Sequence, residues 1–231
     1  INILNLIIMC ANFKPISLLQ VQQLGLPAIP FLYEEEIFPS FQTPLLFKSD
    51  QGMEWRLVNF GLVPKWAEDK DAAKHTYNAR NETLMEKRSF VEAFSKCQFG
   101  VIPVTEFYES KYINGRPQRW GVRRKDGQAF YIAALYEITR LKTGEVVRSA
   151  TMISMDAHSH PMMSEFHEPR TDKRSVVVIP HHRLDEWLGL KQPNISSFIE
   201  GFPVAEFECF YCPKISNNKN SPQLNIFDEE S

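Results

Sequence analysis

The sequence is poor in cysteine, in net charge and in long apolar runs, and each shortage excludes a class of protein. Only four cysteines occur among 231 residues, at irregular positions and without a secretory signal pattern. We therefore expect reduced thiols in a cytoplasmic protein and no disulfide framework. No apolar run approaches the ~20 residues of a membrane-spanning helix, so no membrane partner is expected. The formal net charge is −2, so any surface for nucleic acid has to be local.

The first nine residues, INILNLIIM, resemble a secretory signal only in being apolar. They carry no positive charge, two asparagines interrupt them, and no small-residue cleavage site follows. We predict that residues 1–9 are a leader or a mis-assigned start, and that the working domain begins at Cys10. The prediction matters chemically, because an N-terminal cysteine has an amine and a thiol on adjacent carbons and no internal cysteine does.

Short apolar segments separated by turn residues predict an α+β fold that is predominantly antiparallel β. We expect a partly open, barrel-like sheet flanked by helices, in a single domain over residues 10–212. The polar, aperiodic residues 213–231 predict a flexible C-terminal tail. Alternating patterns and turn signals predict strands in 53–66, 97–112, 119–138, 141–155 and 175–180, with turns at Lys125–Gly127 and Thr143–Gly144. Helical periodicity predicts helices near 17–24, over 81–96 and over 181–190.

Four stretches hold residues that could carry chemistry: MCANF, TYNARNET, PVTEFYES and MMSEFHEPRTDKRSVVVIP. Taken singly, each has a structural explanation. A lone cysteine such as Cys10 is often a small buried hydrophobe, and Asn78 suits a turn or a helix cap. Glu109 suits the solvated face of a strand, and His167 suits a loop.

Taken in order, the stretches resemble the SRAP family, the SOS-response-associated peptidase domain. The family's Met-Cys-Gly-Arg start corresponds to Met9–Asn12, and its Trp-Gly-Leu-x-Pro-x-Trp stretch corresponds to FGLVPKW, residues 60–66. Its Asn-Ala-Arg-x-Glu-Thr motif is matched in full by Asn78–Thr83, and its Gly-Phe-Tyr-Glu-Trp motif corresponds to EFYES. The family's Ile-His, followed closely by Arg-Met-Pro, corresponds to His167 followed by a basic residue, Arg174 or Arg170.

The resemblance implies a sensor that joins its N-terminal cysteine covalently to abasic sites in single-stranded DNA and shields the lesion. The amine of Cys10 attacks the aldehyde of the ring-opened sugar to give an imine, and the thiol closes a thiazolidine. Glu109 is expected to transfer protons. His167 is expected to hold the sugar hydroxyl or to shuttle a proton. Asn78 is expected to fix the amine by a hydrogen bond.

The resemblance also implies where DNA binds and which partners are involved. The expected catalytic residues are Cys10, Asn78, Glu109 and His167, and the expected DNA-binding residues are Arg80, Arg174, Arg170, Trp66 and Asn12. The two arginines of the family motifs suit bidentate phosphate contacts, and the tryptophan suits base stacking. The expected partners are abasic single-stranded DNA and the replication machinery, with a nucleoid-associated location. Neither a metal nor a small-molecule cofactor is expected.

A basic run over 116–125 has two explanations, a path for the DNA backbone or an exposed hairpin edge. Three other functions remain open from the residues. A cysteine peptidase would use Cys10 with His167 as base. A binding module would shelter single-stranded DNA without covalent chemistry. A metal site would use the single C-x2-C of Cys209–Cys212, a spacing that seldom suffices without a second pair, with the available histidines His158, His160, His181 and His182.

Overall fold

The structure is a computed structural model and describes residues 12–213. The predictions for the leader, for Cys10 and for the tail from 214 to 231 therefore lie outside the described residues. The strands are β1 (Asn12–Pro15), β2 (Gln42–Ser49), β3 (Gly52–Phe60), β4 (Asn78–Arg80), β5 (Phe99–Ile113), β6 (Arg116–Arg124), β7 (Phe130–Arg140), β8 (Val146–Asp156), β9 (Arg174–Val176), β10 (Val178–Ile179) and β11 (Phe207–Tyr211). The α-helices are α1 (Leu18–Gln23), α2 (Val91–Ser95) and α3 (Leu184–Leu188).

Five strands form a closed barrel. In order around the ring, β5 pairs with β7, β7 with β8, β8 with β3, β3 with β2, and β2 with β5. All of these pairs are antiparallel except the short contact of β3 with β8. The predominantly antiparallel, barrel-like sheet is confirmed, and its open edges belong to strands outside the ring of five.

The barrel strands have nearly continuous apolar sequences because both of their faces are buried. Successive side chains of a strand point to opposite faces. Leu45 packs in the interior cluster with Ile102, whereas their neighbours Leu46 and Val101 pack in a second cluster outside the barrel wall. A strand that is covered on one face only would alternate apolar with polar residues.

The second cluster is covered by short helices. Trp187 of α3 is fully buried there, and its indole Nε1 donates a 2.8 Å hydrogen bond to the carbonyl of Gly100 on β5. Phe94 of α2 packs edge-on against Phe99, the first residue of β5. The helix predicted near 17–24 is confirmed as α1, which begins with a capping box formed by Ser17 and Gln20.

The helix predicted over 81–96 is wrong for its first half. A 3₁₀ turn occupies Asn81–Thr83 and α2 begins only at Val91. The carboxylate of Glu82 accepts hydrogen bonds from the backbone N–H of Asp156 and from Arg174, and these contacts fasten the segment to β8 and β9. Tertiary contacts have overridden a local helical preference.

The strand predicted over 175–180 is divided at Val177. Beyond Met152 the strands β7 and β8 separate, and residues 174–179 fill the gap. β9 pairs with β8 and β10 pairs with β7, while the backbone of Val177 is hydrogen-bonded to both of these barrel strands. The segment from 157 to 173, which contains His167, is thereby attached to the barrel at its C-terminal end.

Candidate functional site

The strand β5 carries Glu109 into a buried position at one end of the barrel. The side chain of Glu109 is 3% exposed. Phe107, two residues earlier on the same face, is fully buried in the interior cluster. A carboxylate is stable in such surroundings only when neighbouring polar groups compensate it.

His167 supplies the neighbouring group. Its Nε2 lies 3.3 Å from Oε2 of Glu109, and its side chain is also 3% exposed. The backbone N–H of His167 donates a 2.7 Å hydrogen bond to the carbonyl of Ser110, the residue that follows Glu109. The loop that contains His167 therefore contacts β5 through both its backbone and its side chain, at the adjacent residues Glu109 and Ser110.

The backbone of His167 adopts φ +66°, in the left-handed region. Such a conformation is unfavourable for a residue with a Cβ, and it persists only where the surroundings impose it. The adjacent Phe166 is fully buried in the interior cluster and fixes the loop from one side. Unfavourable backbone conformations of this kind concentrate at functional sites.

Lys173 fixes the same loop from the other side. Its ammonium donates to the carbonyls of Phe166 at 2.7 Å, Glu168 at 3.1 Å and His167 at 3.4 Å. Burial lowers the pKa of Lys173 from its ordinary value. Sequence reasoning did not single out this residue, yet its contacts hold the loop that presents His167.

The imidazole of His167 has capacity for a further contact. Among residues 12–213, neither Nδ1 nor Nε2 has a partner in hydrogen-bond geometry, although both atoms are buried and Nε2 lies close to Glu109. A buried polar atom of this kind usually bonds to something, because leaving it unpaired costs ~1–3 kcal/mol. Both nitrogens of His167 can therefore bind a polar group that enters the site beside Glu109.

The strand β1 begins beside this pair. Asn12 is opposite Tyr108, the residue before Glu109, in the antiparallel pairing of β1 with β5. Asn12 is 9% exposed, and its amide Nδ2 donates to Oε1 of Glu36. The expected phosphate contact of Asn12 stays a prediction, and in this structure its side chain is engaged within the protein.

β4 brings Asn78 and Arg80 to the barrel by parallel pairing with β8. Tyr77, next to Asn78, packs against the interior cluster that also contains Phe107 and Phe166. The elements that bear Asn78, Glu109 and His167 therefore converge on one apolar cluster. Arg80 is 42% exposed and pairs with Asp172 at 2.8 Å, a surface ion pair of the kind that contributes little to stability.

Arg174 differs from Arg80 in being almost completely buried, with 5% of its side chain exposed. Its two terminal nitrogens donate to the two carboxylate oxygens of Glu82 at 2.8 and 2.9 Å, and one also donates to the carbonyl of Ser154 at 3.0 Å. Burial acts to raise the pKa of Glu82, but the hydrogen bonds and the charge of Arg174 outweigh it, and the pKa is lowered. In this structure the guanidinium of Arg174 is engaged within the protein, and its expected phosphate contact stays a prediction.

The remaining predicted DNA contacts lie at the surface. Trp66 is 45% exposed, and its indole Nε1 donates to the carbonyl of Arg88, whose guanidinium lies 4.7 Å from the ring centre. Arg170 is exposed at φ +71° in the His167 loop. Both side chains are accessible to a strand of DNA.

The basic run on β6 is largely neutralised by carboxylates. Arg119 pairs with Glu36, Arg123 with Glu208, and Arg124 with both Asp126 and Glu206. β6 is also paired on both sides, with β5 and with β11, so it is not an exposed edge, and most of its arginines are engaged within the protein.

The sequence is also similar to that of a known protein family. A model of the family described as SOS response associated peptidase (SRAP) matches residues 27–219. The chain belongs to the SRAP family.

Named SRAP relatives and solved structures extend the match. The chain is 28% identical over 210 residues to the abasic site processing protein YoqW of Bacillus subtilis (strain 168), covering 84% of this chain and 88% of YoqW. It is 36% identical over 87 residues to the abasic site processing protein HMCES of Pongo abelii, which is 35% of this chain and 25% of HMCES. A protein of Bordetella bronchiseptica solved by X-ray crystallography has the same fold, with a TM-score of 0.80 and 21% identity over 88% of this chain and 99% of the other. A second, from Bacteroides thetaiotaomicron, has a TM-score of 0.73, 19% identity, and coverage of 89% and 93%.

The SRAP fold thus brings together part of the predicted site. Glu109 and His167 are in contact, Asn12 begins its strand beside them, and Tyr77, the neighbour of Asn78, packs on the same apolar cluster. Cys10 lies outside the described residues. Sequence reasoning missed Glu36 and Lys173. Glu36 contacts Asn12, a residue distant in the chain, and the contacts of Lys173 depend on a loop conformation that no local pattern indicates.

Two remaining expectations from the sequence concern a metal site and membrane insertion. Within residues 12–213, no group of three or more histidine, cysteine, aspartate or glutamate side chains could hold a metal ion. Over the same residues, no helix has the length and apolar character needed to cross a membrane. Cys212 of the C-x2-C pair has its Sγ 3.2 Å from the guanidinium of Arg119.

Proposed function

We propose that this SRAP protein processes abasic sites in single-stranded DNA by joining Cys10 covalently to the lesion. The observation that carries the proposal is the buried Glu109–His167 pair, held at 3.3 Å by a loop in an unfavourable backbone conformation. Relatives named abasic site processing proteins support the same function.

Covalent geometry limits where Cys10 can be. It precedes Asn12 by two residues, which span at most ~7 Å. Asn12 is paired with Tyr108, the neighbour of Glu109. The N-terminal amine and thiol of a protein that begins at Cys10 are therefore within reach of the Glu109–His167 pair.

The reaction balances without a cofactor or a redox partner. In the ring-opened abasic sugar, C1′ is an aldehyde carbon. The amine of Cys10 forms a C–N bond to C1′, and one water leaves as the imine forms. The thiol then forms a C–S bond to the same carbon, and its proton goes to nitrogen, which closes the thiazolidine ring.

Each proton step has a candidate group in the pair. The free amine has an unperturbed pKa of about 7.7–8.0, so a useful share is unprotonated near neutral pH. Glu109 gives a proton to the departing hydroxyl of the carbinolamine, and His167 binds the sugar hydroxyl or passes the proton on. Asn78 holds the nitrogen of the ring through its amide.

DNA contacts in this proposal come from the exposed side chains. Arg80 exchanges Asp172 for a phosphate, and Trp66 stacks on a base, a contact worth ~1–3 kcal/mol. Arg170 adds a further positive charge on the His167 loop. Such a protein acts in the cytoplasm in association with the nucleoid.

The replication machinery is a proposed partner because abasic single strands are exposed where DNA is copied. The sequence Gln223–Phe227 supports a contact, since it places three apolar residues within an otherwise polar segment. Patterns of this kind are typical of short motifs that insert into an apolar groove of a partner protein. Titrating a peptide of residues 220–231 against the processivity clamp of a replicative polymerase tests it, and no binding up to millimolar concentration would remove this support.

The test of the proposal is adduct formation on a denaturing gel. Protein that begins at Cys10 is incubated with an abasic oligonucleotide and with an undamaged one. We expect a denaturation-resistant band with the abasic strand only, and a rate reduced ~10²-fold or more in Glu109→Gln and in His167→Gln. Glu168→Gln, an exposed change beside His167, is the matched control and should react like the wild type.

Two outcomes decide between this chemistry and its rivals. A wild type that forms no adduct, with the lesion verified, would refute the proposal. A Cys10→Ser variant that retains all lesion-specific protection would instead favour a binding module without covalent chemistry.

A further inference from the structure

The first described residue of β1 is held by a carboxylate from another segment. Nδ2 of Asn12 donates to Oε1 of Glu36. The backbones beside this contact are joined as well, because Phe13 and Ile37 exchange two hydrogen bonds of 3.2 and 2.8 Å. Phe13 and Ile37 are both fully buried in the interior cluster. Glu36 is therefore a fixed point against which the start of β1 is oriented.

The same carboxylate oxygen also accepts a hydrogen bond from Nη2 of Arg119 on β6. The guanidinium of Arg119 lies 3.6 Å from the ring centre of Tyr108. Tyr108 is the residue that pairs with Asn12 across β1 and β5. The contacts thus form a closed cycle of Asn12, Glu36, Arg119 and Tyr108 at the edge of the site.

Burial makes this cycle more rigid than a surface ion pair. The side chain of Arg119 is 16% exposed and that of Glu36 is 36% exposed. Arg119 is additionally bound to the C-terminal side of β11, where its Nη1 lies 3.4 Å from the carbonyl oxygen of Cys212. Because Arg119 is already held by the ring of Tyr108 and the carbonyl of Cys212, it loses little more side-chain entropy when it binds Glu36.

We propose that Glu36 is a positioning residue for the cross-linking reaction. By linking Asn12 to Arg119, it sets the direction in which β1 presents Cys10 to the Glu109–His167 pair. Glu36 touches neither the lesion nor the reacting atoms. This inference rests on the proposed function.

The physical reason is the dependence of intramolecular rates on orientation. Cys10 is two residues from Asn12, so its amine and thiol are aimed largely by what holds Asn12. Freeing that residue lets the end of β1 sample many orientations, and a misplacement of about 1 Å is enough to slow a reaction. Glu36 is not among the expected DNA-binding residues, and the exposed side chains of Arg80, Trp66 and Arg170 are unchanged, so DNA affinity should change little.

Single-turnover kinetics separate the two quantities. The rate of adduct formation is measured against the concentration of abasic oligonucleotide, which gives a maximal rate and a half-saturating concentration. For Glu36→Ala we expect a maximal rate lowered roughly 10-fold, with the half-saturating concentration within about twofold of the wild type. Glu36→Asp should recover part of the rate. Glu35→Ala, an exposed neighbour in the same acidic run, is the matched control.

A double-mutant cycle tests whether Glu36 acts through Asn12. If it does, Asn12→Ala in the Glu36→Ala background should slow the reaction by less than about twofold further. Circular dichroism and the melting temperature confirm folding of each variant. An unchanged maximal rate in Glu36→Ala overturns the inference, and so do independent, multiplicative effects. A wild type without adduct would refute the proposed function itself, so the two failures are distinguishable.

Discussion

Replacing Glu82 with glutamine removes the charge partner of a buried arginine while keeping the size of the side chain. Arg174 is 5% exposed and donates to both carboxylate oxygens of Glu82, at 2.8 and 2.9 Å. Removing one partner of a fully buried ion pair costs ~3–5 kcal/mol. Glu82 is 42% exposed, so water compensates part of the loss, and we expect a cost of about 2 kcal/mol.

In a chain of this size, 1 kcal/mol corresponds to about 2–4 °C in melting temperature. Glu82→Gln should therefore melt about 4–8 °C below the wild type at pH 7, measured by circular dichroism or calorimetry. Glu86→Gln, an exposed change four residues along the same segment, is the matched control and should melt within about 1 °C of the wild type. A Glu82→Gln protein as stable as this control would refute the structural role of the pair.

The pH dependence gives the same prediction a second test. The folded-state pKa of Glu82 is lowered below 4.5, which is the ordinary value of a glutamate carboxyl. The stabilisation is therefore fully present above that value, and it is lost as the pH falls through the folded-state pKa. The difference in melting temperature between the wild type and Glu82→Gln should narrow below pH 4.5 and stay constant between pH 6 and 8.

Two further predictions concern the arginines expected to contact DNA and the space around a glycine. The logarithm of the affinity for single-stranded DNA should fall with the logarithm of the salt concentration, at a slope near −0.7 per phosphate contacted. Arg80→Gln should reduce the magnitude of that slope by about 0.7. Arg174→Gln should leave the slope unchanged and lower the melting temperature. A reduced slope in Arg174→Gln would restore that residue as a phosphate contact. Gly61→Ala should destabilise the fold severely, because the backbone has φ +117° and a Cβ would lie 2.1 Å from the carbonyl oxygen of Ala73. Gly115→Ala, which also has positive φ but open space, should lose only about 1 kcal/mol, and equal losses in both would contradict the steric explanation.

Local signals predicted two turns, of which only the one between β7 and β8 closes a hairpin, and barrel closure depends on contacts that no local signal carries. The turns at Lys125–Gly127 and Thr143–Gly144 connect β6 to β7 and β7 to β8, as their glycines indicated. Closure instead requires β5 to pair with both β2 and β7 along its 15 residues. Apolar periodicity does not specify which strands become neighbours.

The candidate site likewise contains residues that local motifs indicated and residues that only the structure identified. Glu109 and His167 could be proposed from motifs that match those of a known family, and the structure places them in contact. Lys173 donates to backbone carbonyls of the His167 loop, and Glu36 accepts a hydrogen bond from Asn12, 24 residues earlier in the chain. The contact of Glu36 joins residues distant in the chain, and the contacts of Lys173 require a particular fold of the loop, so neither is visible in the local sequence.

The central claim is that the free amine of Cys10 reacts with the lesion, and intact mass measurement tests it most directly. Two protein forms are compared with the same abasic oligonucleotide, one beginning at Ile1 and one at Cys10, each with its N-terminus verified. In the form beginning at Ile1, the nitrogen of Cys10 is an amide with a delocalised lone pair and cannot form an imine. The account predicts that the Cys10 form gives a denaturation-resistant adduct whose mass is the sum of protein and DNA less one water, and that the longer form gives little or none. Equal rates and equally stable adducts from both forms would contradict it and would favour a thiol peptidase that uses Cys10 and His167.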